Sequence, residues 1–126
     1  MTELKSENFE SAVSSAKKCL IDFYATWCAP CKAMNPVLES VENELGADVI
    51  YKIDVDKNRD LVEKYGIRSV PTFLFFEDGI EKERKSGVIP KNYLIETLSK
   101  YGIFGMIFKK HFYLRGNYPI FAYINI

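Results

Sequence analysis

The chain has 126 residues, 48% of them apolar and 27% charged, which suits one globular domain with a core of ordinary size. Its formal net charge is zero and it has no concentrated basic face, which argues against a nucleic-acid partner. No apolar run reaches bilayer-spanning length. Met1 to Asn8 also lack the basic-then-apolar start of a secretory leader, so a cytoplasmic location is expected.

Thr2 to Leu4 can form a very short first strand. Ser6 is placed to cap a helix in which Phe9, Ala12, Val13 and Ala16 recur at helical spacing. Residues 19–25 read as a central strand, apolar on both faces apart from Asp22, as expected of a parallel strand buried under helices. Trp27-Cys28-Ala29-Pro30-Cys31-Lys32 leads into a second helix with Met34, Val37, Leu38, Val41 and Leu45 on one side. Gly46 ends that helix, and Pro36 is expected to kink it. Val49 to Asp54 follows as a strand, then Arg59 to Tyr65 as a short helix closed by Gly66. Thr72 to Glu77 is the next strand. Asp78-Gly79 is a two-residue hairpin signal into Ile80 to Ser86, whose charged run Glu81 to Lys85 suits a solvated edge. Pro90 opens a last helix with Leu94, Ile95 and Leu98 inward. Phe23, Phe73, Phe75 and Phe76 are assigned to the core. The order predicts an α/β fold with a central mixed β-sheet flanked by helices on both faces.

Composition breaks after Tyr101. All 17 acidic residues precede that point, whereas 102–126 holds Lys109, Lys110 and Arg115 and no acid. Residues 1–101 therefore carry −3 and the tail +3. We divide the chain into a domain over 1–101 and an aromatic-rich C-terminal extension over 102–126. The extension has three readings: translated sequence beyond a lost stop codon, an added hairpin turning at Gly116-Asn117, or a basic-aromatic segment touching a membrane surface or partner.

Two thiols separated by two residues, between a buried strand and a helix, fit reversible disulfide chemistry. At the helix start, Cys28 would face unpaired backbone N–H groups and the positive end of the helix dipole. That field favours thiolate, the nucleophilic form. Cys31, one turn on, can close the disulfide. Pro30 is tolerated in a first turn. Asp22 in its apolar run is costly to ionise, so burial should raise its pKa and fit it for acid–base work. Cys19 is left over and reads as a buried apolar residue, with a secondary redox thiol as the alternative. The ligand count argues against a metal, since the lone histidine, His111, stands in the tail.

These residues closely resemble the thioredoxin family. Its motif reads Trp-Cys-Gly-Pro-Cys-Lys, and here Ala29 replaces the glycine. Asp22 stands six residues before the first cysteine, Pro36 lies in the following helix and Lys52 in the next strand. Tyr65 to Thr72 resembles the stretch with the family's cis-proline, and Asp78-Gly79 and Gly87 match later landmarks. The resemblance implies the thioredoxin fold and a protein-disulfide reductase that needs no cofactor. A thioredoxin reductase would recharge it, and disulfide-containing proteins would be its clients. It implies Cys28 as attacker, Cys31 as resolver and Asp22 as acceptor of the Cys31 proton, through a water. Lys52 would limit the cost of burying Asp22; a structural Asp22–Lys52 pair is the alternative. Pro71 would be cis beside the disulfide, with Val70 presenting backbone to an extended client. Trp27, Ala29, Pro30, Val70, Gly87 and Val88 would form an apolar rim around Cys28. Ala29 removes backbone freedom beside the thiols and bears on redox poise, and Tyr24 stands where the family commonly has tryptophan. Two competing functions are an oxidase or isomerase, and a binding module with idle thiols.

Overall fold

The computed structural model describes residues 1–100. In chain order the elements are β1 (Thr2–Leu4), α1 (Ser6–Ser15), β2 (Lys18–Tyr24), α2 (Ala29–Leu45), β3 (Ile50–Asp54), α3 (Arg59–Tyr65), β4 (Thr72–Glu77), β5 (Ile80–Ser86) and α4 (Lys91–Lys100). The expected order is present, including the short first strand. The tail, with the turn read at Gly116-Asn117, lies outside the described residues.

The five strands pair in the order β1-β3-β2-β4-β5. β1, β3 and β2 run parallel; β4 is antiparallel to β2, and β5 to β4. β2 is thus central, as its apolar run predicts, and the charged β5 is an edge strand. Asp78 and Gly79 join β4 to β5 with φ of 52° and 80°, the left-handed pair that a two-residue turn requires.

Period-two alternation sorts the core into two layers. On one face Cys19, Ile21, Phe23, Leu74 and Phe76 pack with Phe9 and Val13 of α1 and Leu61 of α3. On the other, Leu20, Ile50, Phe73 and Phe75 meet Met34, Leu38 and Val41 of α2 and Leu94 and Leu98 of α4. Each such side chain, fully buried, contributes roughly 1.5–3 kcal/mol from area alone. Asp22 shares the face of Leu20, and Lys52 that of Ile50, so both lie on the α2 side. Parallel register sets them directly opposite one another.

One local expectation needs correction. Lys5, not Ser6, occupies the N-cap of α1, and the Asn8 side chain accepts from the Lys5 N–H at 2.8 Å. Ser6 is the first helical residue; its hydroxyl reaches across the chain to Asn58 at 3.1 Å and to Asp60. These partners take the side chain that sequence assigns to a local cap. In α4, Ile95 is half-buried and packs against the second layer with Leu94 and Leu98, as expected, and Thr97 and Ser99 are buried as well. Among the described residues no helix is long and apolar enough to cross a membrane.

Candidate active site

Between β2 and α2 the chain turns through Ala25, Thr26 and Trp27. Cys28 is the N-cap of α2, with extended backbone, and its Sγ accepts from the Cys31 N–H at 3.2 Å. A small oxygen-bearing side chain usually satisfies that orphan donor; here sulfur does. Ala29 and Pro30 fill the first turn, where the N–H that Pro30 lacks would have no helical partner. Cys31 returns over Cys28 with Cα atoms 5.3 Å apart, and the two are joined as a disulfide. In this oxidised state both are buried, Cys28 at 5% and Cys31 at 2% exposed.

The Val70-Pro71 bond is cis. It brings the Val70 carbonyl to 3.7 Å from Cys28 Sγ, and Pro71 is itself buried. The Gly87 N–H donates to the Pro71 carbonyl at 2.9 Å, tying the end of β5 to this loop. Around the disulfide, Trp27 is 69% and Val88 67% exposed, Ala29 and Pro30 are exposed, and Val70 and Gly87 are half-buried. Trp27 is tethered by Asp56, whose Oδ2 accepts from Nε1 at 2.8 Å.

Beneath α2, Asp22 is 1% exposed. Its Oδ2 accepts from Lys52 Nζ at 3.0 Å, while Oδ1 is buried with no hydrogen-bond partner among the described residues. Burial raises the Asp22 pKa above the ordinary carboxylate range; the Lys52 charge opposes this and the Glu3 charge adds to it. Lys52 Nζ also donates to Asn35 Oδ1 at 2.7 Å and lies 4.5 Å from the Tyr24 ring centroid. The Tyr24 hydroxyl bonds both Glu3 carboxylate oxygens at 2.9 Å. Burial, followed by this acidic neighbour, pushes its own pKa well up.

A cleft of about 300 Å³ is lined by Tyr24, Thr26, Cys31, Asn35 and Lys52. It is roomy and polar enough to hold water. Cys31 and Lys52 therefore line one cleft, and Asp22 adjoins it through its bond to Lys52. Cys19 is buried and unpaired, and burial pushes its thiol up to about 12, as suits a core residue rather than a reactive thiol.

Sequence reasoning overlooks Asn35 and Asp56. Asn35 carries a signal, since it stands one turn after Cys31 and so faces the same way. Asp56 carries none, because its partner Trp27 is distant in sequence. A second groove, of about 430 Å³ on the α3 side of Trp27, is overlooked as well; its residues include Val55, Arg59, Ile67 and Arg68.

Comparison with known proteins agrees with this geometry. The thioredoxin family model matches residues 1–100. A thioredoxin of Bacillus subtilis is 45% identical over 92 residues, covering 72% of this chain and 88% of that one. A thioredoxin of Chlamydia trachomatis is 43% identical over 95 residues, covering 75% and 92%. Among solved structures, a mutant thioredoxin from Halobacterium salinarum superposes with a TM-score of 0.72 at 34% identity, covering 79% of this chain and 90% of that one. A Plasmodium falciparum thioredoxin gives 0.73 at 29% identity, covering 81% and 100%.

Proposed function

The chain belongs to the thioredoxin family, and from that premise we propose how its site residues divide the chemistry. Family membership makes it a thiol–disulfide oxidoreductase that reduces protein disulfides through Cys28 and Cys31. Thioredoxin is itself a standard example of a Cys-X-X-Cys motif with a lowered thiol pKa. The further assignments rest on one observation: a cysteine pair at the N-cap of α2, bounded by the cis Val70-Pro71 loop and the Asp22–Lys52 cleft.

In the reduced protein the Cys28 thiolate attacks one sulfur of a client disulfide. A Cys28–client bond forms, the client S–S bond breaks, and the first client thiolate leaves and takes up a proton. The Cys31 N–H, 3.2 Å from Cys28 Sγ, supports the anionic sulfur. Cys31 then loses its proton to Asp22 through a water in the cleft and attacks Cys28 Sγ. The Cys28–client bond breaks, the second client thiolate leaves, and two electrons have passed to the client. The Cys28–Cys31 disulfide seen here is the product of that step. Lys52 keeps Asp22 from the full cost of burial without holding it permanently ionised.

Trp27, Ala29, Pro30, Val70, Pro71, Gly87 and Val88 receive the client. The Val70 backbone pairs with its extended segment. A thioredoxin reductase returns the electrons, so the protein is an electron carrier. We place it in the cytoplasm, where thiols are kept reduced. We assign this activity to a domain over 1–101.

Trapping tests the assignment. Cys31→Ser should accumulate a mixed disulfide between Cys28 and an insulin chain, because nothing resolves it; Cys28→Ser should accumulate little. Equal trapping through both cysteines would overturn the division into attacker and resolver.

A further inference from the structure

The groove on the α3 side of Trp27 adjoins the Cys28 sulfur through Val70. Val70 lines it and also places its carbonyl 3.7 Å from Cys28 Sγ. Its floor is apolar, with Val55 8% exposed and Val62 and Ile67 half-buried. Arg59, at the start of α3, and Arg68, in the loop before Pro71, also line it, and both are exposed. Among the described residues neither guanidinium lies within ion-pair distance of a carboxylate. Asp56 is the carboxylate in the groove lining, and its Oδ2 is occupied by Trp27 Nε1. Two cations against one engaged anion leave the groove positive, although the acids of residues 1–101 outnumber the bases by three.

We propose that this groove selects clients by charge: it accepts an extended segment that lays an apolar side chain on the Val55–Ile67 floor and an Asp or Glu beside Arg59 and Arg68. The proposal rests on the disulfide-reductase reading of Cys28 and names the client class for it. A carboxylate within a few residues of the client cysteine meets two unpaired guanidiniums as the sulfurs approach. A lysine in the same place meets repulsion. Both effects act on encounter and docking, so they appear in kcat/KM. Two exposed pairs are worth about a three- to tenfold preference at low salt, screened away at high salt.

The full-length reduced protein should be given three peptide disulfides that differ at one position near the cysteine: Glu, Gln or Lys. The expected order of kcat/KM is Glu, then Gln, then Lys, with an end-to-end ratio of about three to ten that approaches one in ~0.5 M salt. Arg59→Gln with Arg68→Gln should remove the preference, and Arg59→Glu with Arg68→Glu should invert it. Lys17→Glu with Lys82→Glu changes net charge equally, away from the groove lining, and should preserve the wild-type order. Equal rates for the three peptides, a preference for Lys, or an equal response to the Lys17/Lys82 change would overturn the groove assignment while leaving the reductase reading intact. Failure to reduce even the Gln peptide would overturn the reductase reading itself.

Discussion

Lys52 holds its ammonium between Asp22 Oδ2 and Asn35 Oδ1, where its charge opposes the effect of burial on Asp22. Burial dominates the Asp22 environment and raises its pKa. Folded protein therefore keeps the proton at pH values where the unfolded chain, at about 4, has lost it. Folding stability falls as pH rises through that interval. Asp22→Asn removes this penalty, so its melting temperature should exceed wild type at neutral pH. The gap should narrow as pH falls below the folded Asp22 pKa and close near the unfolded value of about 4, where the carboxyl is protonated in both states. A gap that does not change with pH would show that the carboxylate carries no such penalty. The same variant should resolve mixed disulfides more slowly near pH 7, because Cys31 loses its proton acceptor; unchanged single-turnover kinetics would make Asp22 purely structural. Asn35 positions this pair from α2. Asn35→Ala deletes a 2.7 Å hydrogen bond to a charged group and should cost about 1–2 kcal/mol. Lys52 is then free to move from Asp22 into the cleft. With less counter-charge, Asp22 should be pushed further up, moving the pH midpoint of the resolving step to higher pH. Glu3 pushes in the same direction in both proteins, so the difference reports Lys52 placement. A midpoint identical to wild type would show that Asn35 does not position Lys52.

At the scale of elements, one buried side chain ties three of them together. Asn58 Nδ2 donates to the Asp54 carbonyl at the end of β3 at 2.9 Å. Its Oδ1 accepts from the Ser6 N–H at 2.9 Å and from the Ser6 hydroxyl at 3.1 Å, at the start of α1, and Asn58 is itself the N-cap of α3. Asn58→Ala leaves the Ser6 N–H without its acceptor and should destabilise the protein by about 2–4 kcal/mol. That corresponds to a melting-temperature fall of roughly 10–20 °C. Insulin reduction per folded molecule should not change. A fall of only a degree or two would show that water replaces the amide at little cost. Asn58 also marks where the sequence stops being legible. β2 and β4 are readable because they are near-continuous apolar runs buried on both faces, the inward stripe of α2 because its burial repeats at helical spacing, and β5 because its charges suit an edge. Cys28, Cys31, Asp22 and Pro71 stand out as residue types at odds with their surroundings. Ser6 misleads because its partners lie more than fifty positions away, at Asn58 and Asp60. The groove beside Trp27 is hidden for the same reason: Val55, Arg59 and Arg68 meet only when β3, α3 and the cis loop are brought together.

For the whole molecule, the proposed working unit is the domain over 1–101. Both layers of the core, the five-stranded sheet and the cysteine site are built from residues before position 101. α4 closes the second layer through Leu94 and Leu98, and Lys100 Nζ meets Glu83 Oε2 at 2.6 Å. The proposed boundary at Tyr101 leaves each of these contacts intact. A chain ending at Tyr101 should therefore fold, melt within a few degrees of the full-length protein and reduce insulin at a similar rate. Its net charge would move from zero to −3, because Lys109, Lys110 and Arg115 go with the tail. It would also lose a segment in which apolar and aromatic residues are the majority and acids are absent. Greater mutual repulsion and the loss of those apolar residues should both reduce self-association. Light scattering of the two forms at matched concentration, alongside thermal melts and insulin turnover, checks all three expectations. A shortened chain that unfolds or loses most of its turnover would place part of 102–126 inside the fold, and the boundary would have to move toward the C-terminus.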